Sequence, residues 1–300
     1  MIKEINYKQY GKCVSIGDDH KELIVTVGFG PRIIFFGFKD GENLMYEDIN
    51  DNINKGGNYF DTNFKNGEMW HIYGGHRLWK SPEDLASYAP DNYPVKFTID
   101  GNYATFVADV EKMTHLQKTI KIGFEQGELT IVHSFTNCDD DEEIKCSMWG
   151  LSVLDKGGVA ILPQNLKDTG LLANRNIVLW PYTKINDKRL SFFDDKIVIK
   201  QDSKCGPLKI GFLNTEKTVN FINKGMLFVK KFESDLDAEY PDFCCNTECY
   251  TNEFMTEVET LSEIYTIMPN RTVSATEKWY LYDSNSVEYK EMLKKSKESK

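Results

Sequence analysis

The stretch IYGGHRLWKSPED, residues 72–84, concentrates residue types that can bind or transform a polar ligand. Arg77 offers a planar fork of donors that suits vicinal hydroxyls or a carboxylate. Trp79 offers a flat apolar face on which a sugar ring could stack, and His76 can donate, accept or transfer a proton near neutral pH. Together these groups predict a saccharide site. The alternative is a bulged strand in which Arg77 pairs with a nearby acid and Trp79 lies in the core.

A second candidate group is the carboxylate pair in TEVETL, residues 256–261. If this segment is a strand, Glu257 and Glu259 point to the same face. Two like charges on one face raise each other's pKa toward the range of a general base unless donors meet them. The alternative is a solvated outer face, where both side chains would contact only water.

Two further segments carry side chains that could contact a ligand. LWPYTKINDKR contributes Trp180, and YPDFCCNTE contributes Asp242 and Glu248 on a proline-containing loop. Each segment is equally typical of an ordinary turn. His133 lies on an apolar stripe in LTIVHSF, which favours a buried core histidine over a catalytic one.

Strands must position these groups, because short runs of alternating apolar and polar residues dominate the chain. Residues 94–99 and 103–110, for example, alternate and are joined by Asp100-Gly101-Asn102, which is typical of a tight hairpin. The pattern predicts roughly fifteen to eighteen strands. Helix signals are few; one is a short turn with Ser81 as its cap and Pro82 in its first position.

The pattern predicts an all-β fold, with the strands in one large antiparallel β-sandwich domain over residues 1–300. Residues 285–300 are expected to form a C-terminal helix or a tail. The concave face of such a sheet is a natural groove for a polar, disc-shaped ligand.

The amino-acid composition excludes several classes of binding partner and cofactor. The net charge of −10 argues against nucleic acid and anionic membranes, which call for a basic patch. The seven cysteines have no matching histidine pair, so we predict no metal and no cofactor. The N-terminus lacks an apolar signal core and no run reaches 18 apolar residues, which predicts a reduced, cytoplasmic protein. The oligomeric state stays open.

The order and spacing of several segments resemble those of the galactose mutarotase-like superfamily, which has the aldose 1-epimerase fold. The resemblance covers most of residues 70–282. It is carried by GGHRLWKSPED, HSFTNCDDDEEIKCSMWGLSVLDKGGVAILPQ, LWPYTKINDKRL and YPDFCCNTECYTNEFMTEVETLSEIYTIMPNRTVSATEKWYLY. It implies a β supersandwich with a sugar site on the concave sheet. Since this superfamily also serves as non-catalytic domains, the resemblance predicts the fold more strongly than the activity.

The resemblance also implies roles for particular residues. In aldose 1-epimerases a glutamate takes the proton of the anomeric hydroxyl while a histidine protonates the ring oxygen. The place of that glutamate matches VETL, so Glu259 is the first choice of base and Glu257 the second. Arg77 matches a sugar-binding arginine, and His76 beside it is a further polar contact.

One position departs from the family pattern. Trp149 stands nearest to the place of the family's ring-oxygen histidine, so His76 or His133 would have to supply the acid. General acid catalysis typically contributes 10²–10⁴-fold, so its loss would leave a weak enzyme or a binder. The leading hypothesis is therefore a carbohydrate-binding protein, and if catalytic an aldose 1-epimerase-like isomerase of a hexose or related sugar. The alternative is a non-catalytic sugar-binding or structural protein. Trp79, Trp149 or Trp180 is expected to line the pocket.

Overall fold

The computed structural model of the chain describes residues 1–125 and 128–297. Within them the chain forms 23 strands and three short α-helices, so the all-β prediction is confirmed. More strands form than the alternation predicts, because several are only two or three residues long and leave no periodic signal. None of the helices in these ranges is long and apolar enough to cross a membrane.

The strands, numbered in chain order, have the following bounds: β1 Ile2–Asn6, β2 Lys12–Gly17, β3 Lys21–Thr26, β4 Ile33–Phe38, β5 Asn54–Lys55, β6 Trp70–His71, β7 Gly75–Ser81, β8 Lys96–Asp100, β9 Tyr103–Val110, β10 Leu116–Glu125, β11 Glu128–Asn137, β12 Ile144–Asp155, β13 Val159–Pro163, β14 Val178–Leu179, β15 Leu190–Phe192, β16 Lys196–Lys200, β17 Leu208–Phe212, β18 Thr218–Asn223, β19 Met226–Phe232, β20 Thr247–Thr251, β21 Met255–Leu261, β22 Tyr265–Ile267 and β23 Thr272–Asp283. The α-helices are α1 Asn58–Asn63, α2 Pro241–Cys244 and α3 Val287–Lys295, and the 3₁₀ turns are Lys8–Tyr10 and Leu85–Tyr88.

Two large antiparallel sheets form the sandwich. The first has the order β1-β2-β3-β4-β7-β12-β21-β20-β17-β14, and β22 also pairs with β12. The second has the order β15-β16-β13-β18-β19-β23-β11-β10-β9-β8. A separate two-stranded ribbon joins β5 and β6. At the C-terminus, α3 lies within 285–300, and residues 298–300 are outside the described ranges.

The middle strands of the first sheet are buried on both faces. The main core contains Leu78 of β7, Met148 of β12 and Val258 of β21. Alternation sends their neighbours to the opposite face, where Trp79 and Trp149 belong to a second apolar cluster. All seven residues of β21 are buried. Any polar side chain on these strands therefore needs a partner within the protein.

The glycine pair of the opening motif explains how the chain enters β7. Gly74 and Gly75 both have positive φ, 99° and 67°. A Cβ at Gly75 would lie only 2.2 Å from the carbonyl oxygen of Ile33 on the neighbouring strand. This close approach lets β7 begin beside β4, with His76 paired to Ile33. The pairing sets the register of β7, and the register decides which face of the sheet each later side chain of the strand occupies.

The expected turn after β7 is capped by a different residue. Ser81 is the last residue of β7 and pairs with Ser147, and the turn begins only at Leu85, which is too far along the chain for Ser81 to cap it. Asp84 caps the 3₁₀ turn Leu85–Tyr88 instead, because its carboxylate accepts a hydrogen bond of 2.9 Å from the Ser87 amide.

A polar cluster is fully buried between the two sheets. The Nε2 atoms of His76 and His133 lie 2.8 Å apart, and His76 Nδ1 lies 2.9 Å from Ser152 Oγ. Lys230 Nζ lies 3.0 Å from Glu277 Oε1 and also donates to Ser152 Oγ at 3.2 Å. Since these groups satisfy one another, the cluster can be buried without water.

We expect Gly75→Ala to destabilise the protein by about 3 kcal/mol, since it adds a backbone clash to the 1–2 kcal/mol cost of a left-handed non-glycine residue. Gly170→Ala is the matched control: its φ is 68°, and a Cβ there would have no atom within 4 Å. It should lose only about 1 kcal/mol. Urea-induced unfolding measures both, and equal losses would show that the approach to Ile33 is unimportant.

The buried histidines predict a loss of stability in acid. Burial lowers the pKa of His133 to about 4 and that of His76 well below its ordinary value. Below pH 6.5 the unfolded chain binds protons that the folded chain does not, so the free energy of unfolding falls as the pH drops from 6.5 toward 4. Each histidine contributes a slope of at most about 1.4 kcal/mol per pH unit.

Two variants test whether His133 contributes to this dependence of the unfolding free energy on pH. His133→Gln should reduce the dependence of the unfolding free energy on pH between 6.5 and 4.5. The control His20→Gln changes an exposed histidine and should leave the wild-type slope intact. Urea titrations at several pH values measure both, and a wild-type slope in His133→Gln would contradict the assignment.

Candidate functional site

A cavity of about 520 Å³ lies on the outer face of the first sheet. Its floor is formed by side chains of β7, β12, β21, β20 and β17, which are neighbours in the sheet. The ribbon β5–β6, the 3₁₀ turn that ends at Tyr88, and the segment after β14 form its walls. The charged residues that line it are Lys55, Arg77, Glu83, Lys209 and Glu257.

Arg77 and Glu257 form a buried ion pair at the cavity. Arg77 Nη1 lies 3.2 Å from Glu257 Oε1, and the guanidinium carbon lies 4.3 Å from the centroid of the Trp79 ring. Burial raises the pKa of Glu257, and the positive charge of Arg77 only partly offsets this. Arg77 Nε has no hydrogen-bond partner among the described residues, so the guanidinium retains an unused donor.

A second charged group lies under the other half of the floor. Lys209 Nζ is 2.6 Å from Glu248 Oε2 and 3.0 Å from Glu259 Oε2. Burial alone would lower the pKa of Lys209, but the two carboxylates outweigh it and hold that pKa well above its usual range. Burial also raises the pKa of Glu248 well above its ordinary value. One ammonium therefore lies between two buried carboxyl groups.

Aromatic rings and cations alternate along the floor. The ring centroids of Trp79 and Trp149 are 5.9 Å apart, and Lys209 Nζ lies 4.4 Å from the Trp149 centroid and 4.7 Å from that of Trp180. The indole nitrogen of Trp149 donates to Glu259 Oε2 at 2.8 Å. Since Arg77 and Lys209 cover these indole faces, the floor tryptophans have little free surface for stacking.

The accessible aromatic surface lies at the β14 end. Tyr182 is 43% exposed, and its ring centroid is 6.4 Å from that of Tyr250 in an edge-to-face arrangement. Trp180, beside them, is only half-buried. These three rings also line the cavity.

Most of the residues predicted from the sequence come together here. Arg77, Trp79, Trp149, Trp180 and Glu257 all line the cavity. The alternative interpretation of residues 72–84 also describes the structure: Arg77 is paired with an acid, and Trp79 is almost fully buried.

The predicted carboxylates occupy different depths. The interpretation of TEVETL as a solvated face is wrong, since Glu257 and Glu259 are both buried. Glu257 reaches the cavity, whereas Glu259 and Glu248 are completely buried beneath it with Lys209. Asp242 lies in α2 and is not among the lining residues.

The predicted histidines lie on the other side of the sheet. His76 is next to Arg77 in the chain, so alternation turns it into the polar cluster between the sheets, where it meets His133. All five histidines of the chain fall within residues 1–125 and 128–297, and none of them lines the cavity. The cavity therefore has no imidazole from its own walls.

The sequence reasoning missed Lys209, Tyr250 and Trp70. Lys209 lies in PLKIGFL, where a lysine between apolar residues is typical of a strand with one solvated face. Its role follows from two carboxylates on neighbouring strands, a pairing that the sequence does not reveal. Trp70 lies in a two-residue strand that has no periodic signal. Its Nε1, like Arg77 Nε, lacks a partner among the described residues.

One buried set has the composition of a metal site. Donor atoms of His76, His133 and Glu277 all lie within 4.8 Å of one another. However, the two imidazole nitrogens share a hydrogen bond of 2.8 Å, and the ammonium of Lys230 is 3.0 Å from the carboxylate. A metal ion would have to break that bond and lie beside a cation. The set therefore does not fit a metal ion.

The comparisons with known proteins bear on the fold. No protein-family model matches the sequence, and no match is found among curated proteins. Among solved structures, the chain is similar to the Slr1438 protein of Synechocystis sp. PCC 6803, with a TM-score of 0.57 at 12% identity over 90% of this chain and 96% of that one. It is also similar to a galactose mutarotase-like protein from Lactobacillus casei ATCC 334, with a TM-score of 0.54 at 10% identity over 90% of this chain and 100% of the other. The resemblance predicted from the sequence is thus confirmed for the architecture: the chain has the galactose mutarotase-like fold.

Proposed function

We propose that the protein binds a saccharide in the cavity on the outer face of the first sheet. The observation that carries the proposal is the buried Arg77–Glu257 pair at the cavity floor, next to accessible aromatic rings. A guanidinium donates to sugar hydroxyls, a carboxylate accepts from them, and an aromatic ring covers the apolar face of a sugar. The similarity to a galactose mutarotase-like protein supports a sugar-related role.

The unused donors of the site support the same proposal. Arg77 Nε and Trp70 Nε1 are buried and have no partner among the described residues. A buried donor without a partner costs roughly 1–3 kcal/mol, so a ligand or water that accepts from it stabilises the site. Sugar hydroxyls are suitable acceptors, because each offers two lone pairs.

Mutarotation is the second candidate function. It is favoured by Glu257, a carboxylate that reaches the cavity and whose pKa is raised by burial, as a general base requires. Ring opening also needs an acid at the ring oxygen, and no histidine lines the cavity. Lys209 is a poor substitute, since its pKa is held well above the usual range of a lysine. We therefore place binding before catalysis.

Glu257→Gln should weaken sugar binding about tenfold. The change keeps the shape of the side chain but replaces a charge-assisted hydrogen bond of roughly 1.5–3 kcal/mol with a neutral one of about 1 kcal/mol. Calorimetry and tryptophan fluorescence with a panel of mono-, di- and trisaccharides measure the affinity. Glu253→Gln, an exposed glutamate just before the same strand, is the control and should bind like wild type. Wild-type protein that binds no sugar of the panel would refute the proposed function.

Freshly dissolved α-D-glucose and α-D-galactose should reach anomeric equilibrium at the same rate with and without the protein, because the cavity lacks an imidazole acid. Polarimetry follows this reaction directly. If the protein does accelerate it, Glu257→Gln should abolish the acceleration, since only that carboxylate of the pair reaches the cavity. An accelerated reaction that survives Glu257→Gln and is lost in Glu259→Gln would restore Glu259 as the base.

A further inference from the structure

The width of the cavity floor sets a lower limit on the size of its ligand. Five adjacent strands, β7, β12, β21, β20 and β17, contribute to it. Neighbouring strands are about 4.8 Å apart, so the floor extends roughly 19 Å across the sheet. One sugar ring covers little more than one gap between strands, and the volume of about 520 Å³ also exceeds what a single ring needs.

Groups suited to a sugar occur at two separate places along this width. The first is the ion pair of Arg77 with Glu257, next to Tyr88 on the β7 side. The second is the exposed Tyr182, which follows β14 on the far side of β17 and meets Tyr250 edge to face. Arg77 and Tyr182 thus lie toward opposite ends of the floor, with Glu257 and Tyr250, which are partners on adjacent strands, between them.

The floor between these places is continuous and close to electrically neutral. Trp149, Leu151 and Lys209 line it, and the Lys209 ammonium lies between the rings of Trp149 and Trp180. The charge of Lys209 is balanced by Glu259 at 3.0 Å, as that of Arg77 is by Glu257. This part of the floor suits a second uncharged ring better than a phosphate or carboxylate, because each of its cations lies beside a carboxylate; the wall residue Lys55, over the Tyr88 ring, belongs to the β7 side.

We propose that the site takes an uncharged oligosaccharide of at least two linked rings, one at the Arg77–Glu257 pair and the next against Tyr182 and Tyr250. This inference rests on the proposed saccharide binding and extends it from a sugar to a class of sugars. It distinguishes a site for monosaccharides from a site that binds two or more consecutive rings of a longer sugar.

A series of sugars of increasing length tests the proposal. Calorimetry would compare D-glucose with the α-1,4-linked maltose and maltotriose and the β-1,4-linked cellobiose and cellotriose, and D-galactose with lactose. At least one disaccharide should bind about tenfold more tightly than its monosaccharide. If monosaccharides bind as tightly as every longer sugar, the inference is overturned while saccharide binding stands. If no sugar binds, the proposed function fails, and the inference fails with it.

A pair of matched variants locates the second ring. Tyr182→Ala should lower the affinity for the preferred disaccharide about tenfold and that for its monosaccharide much less. Phe192→Ala is the control, because Phe192 is also 43% exposed but lies in β15 of the other sheet. Thermal unfolding of both variants checks that they remain folded. An equal loss for monosaccharide and disaccharide in Tyr182→Ala would place Tyr182 beside the first ring and overturn the proposal.

Discussion

The ammonium group of Lys209 lies between two carboxylates, 2.6 Å from Glu248 and 3.0 Å from Glu259, where almost no water reaches it. Removing one partner of a buried ion pair typically destabilises a protein by 3–5 kcal/mol, because the other charge is left uncompensated. The same lysine touches the rings of Trp149 and Trp180, and Glu259 accepts the indole hydrogen of Trp149. The arrangement of the cavity floor therefore depends on this one charged group.

Because side chains alternate along a β-strand, the polar groups of the first sheet lie in two places: the cavity on its outer face and the buried cluster between the sheets. On β7, Arg77 faces the cavity while His76 faces the core, although the two are adjacent in the chain. The same rule sends Ser152 of β12 toward His76 and Leu151 toward the cavity. An imidazole on one face and a guanidinium on the other cannot act together on one ligand, because the backbone of the sheet lies between them.

Features of this structure that depend on residues close together in the chain could be predicted from the sequence, whereas features that depend on distant residues could not. Alternation and turn residues predict the all-β fold, since they reflect local backbone preferences. Arg77, Trp79 and Glu257 could be picked out because their residue types suit a sugar and their strands are strongly patterned. The resemblance put Glu259 before Glu257, but which of them reaches the cavity depends on the cation that each one meets. That in turn depends on the order of strands in the sheet, which brings β17 within two strands of β21 although their sequences are far apart.

The two carboxylates of β21 illustrate why that order matters for chemistry. The pattern suggests that they act together, each raising the pKa of its neighbour. In the fold they are drawn to opposite sides: Glu257 reaches toward Arg77 on β7, and Glu259 toward Lys209 on β17. Each carboxylate then lies about 3 Å from a different cation. Only Glu257 reaches the cavity, while Glu259 stays beneath it, so the two carboxylates cannot act as a pair on one ligand.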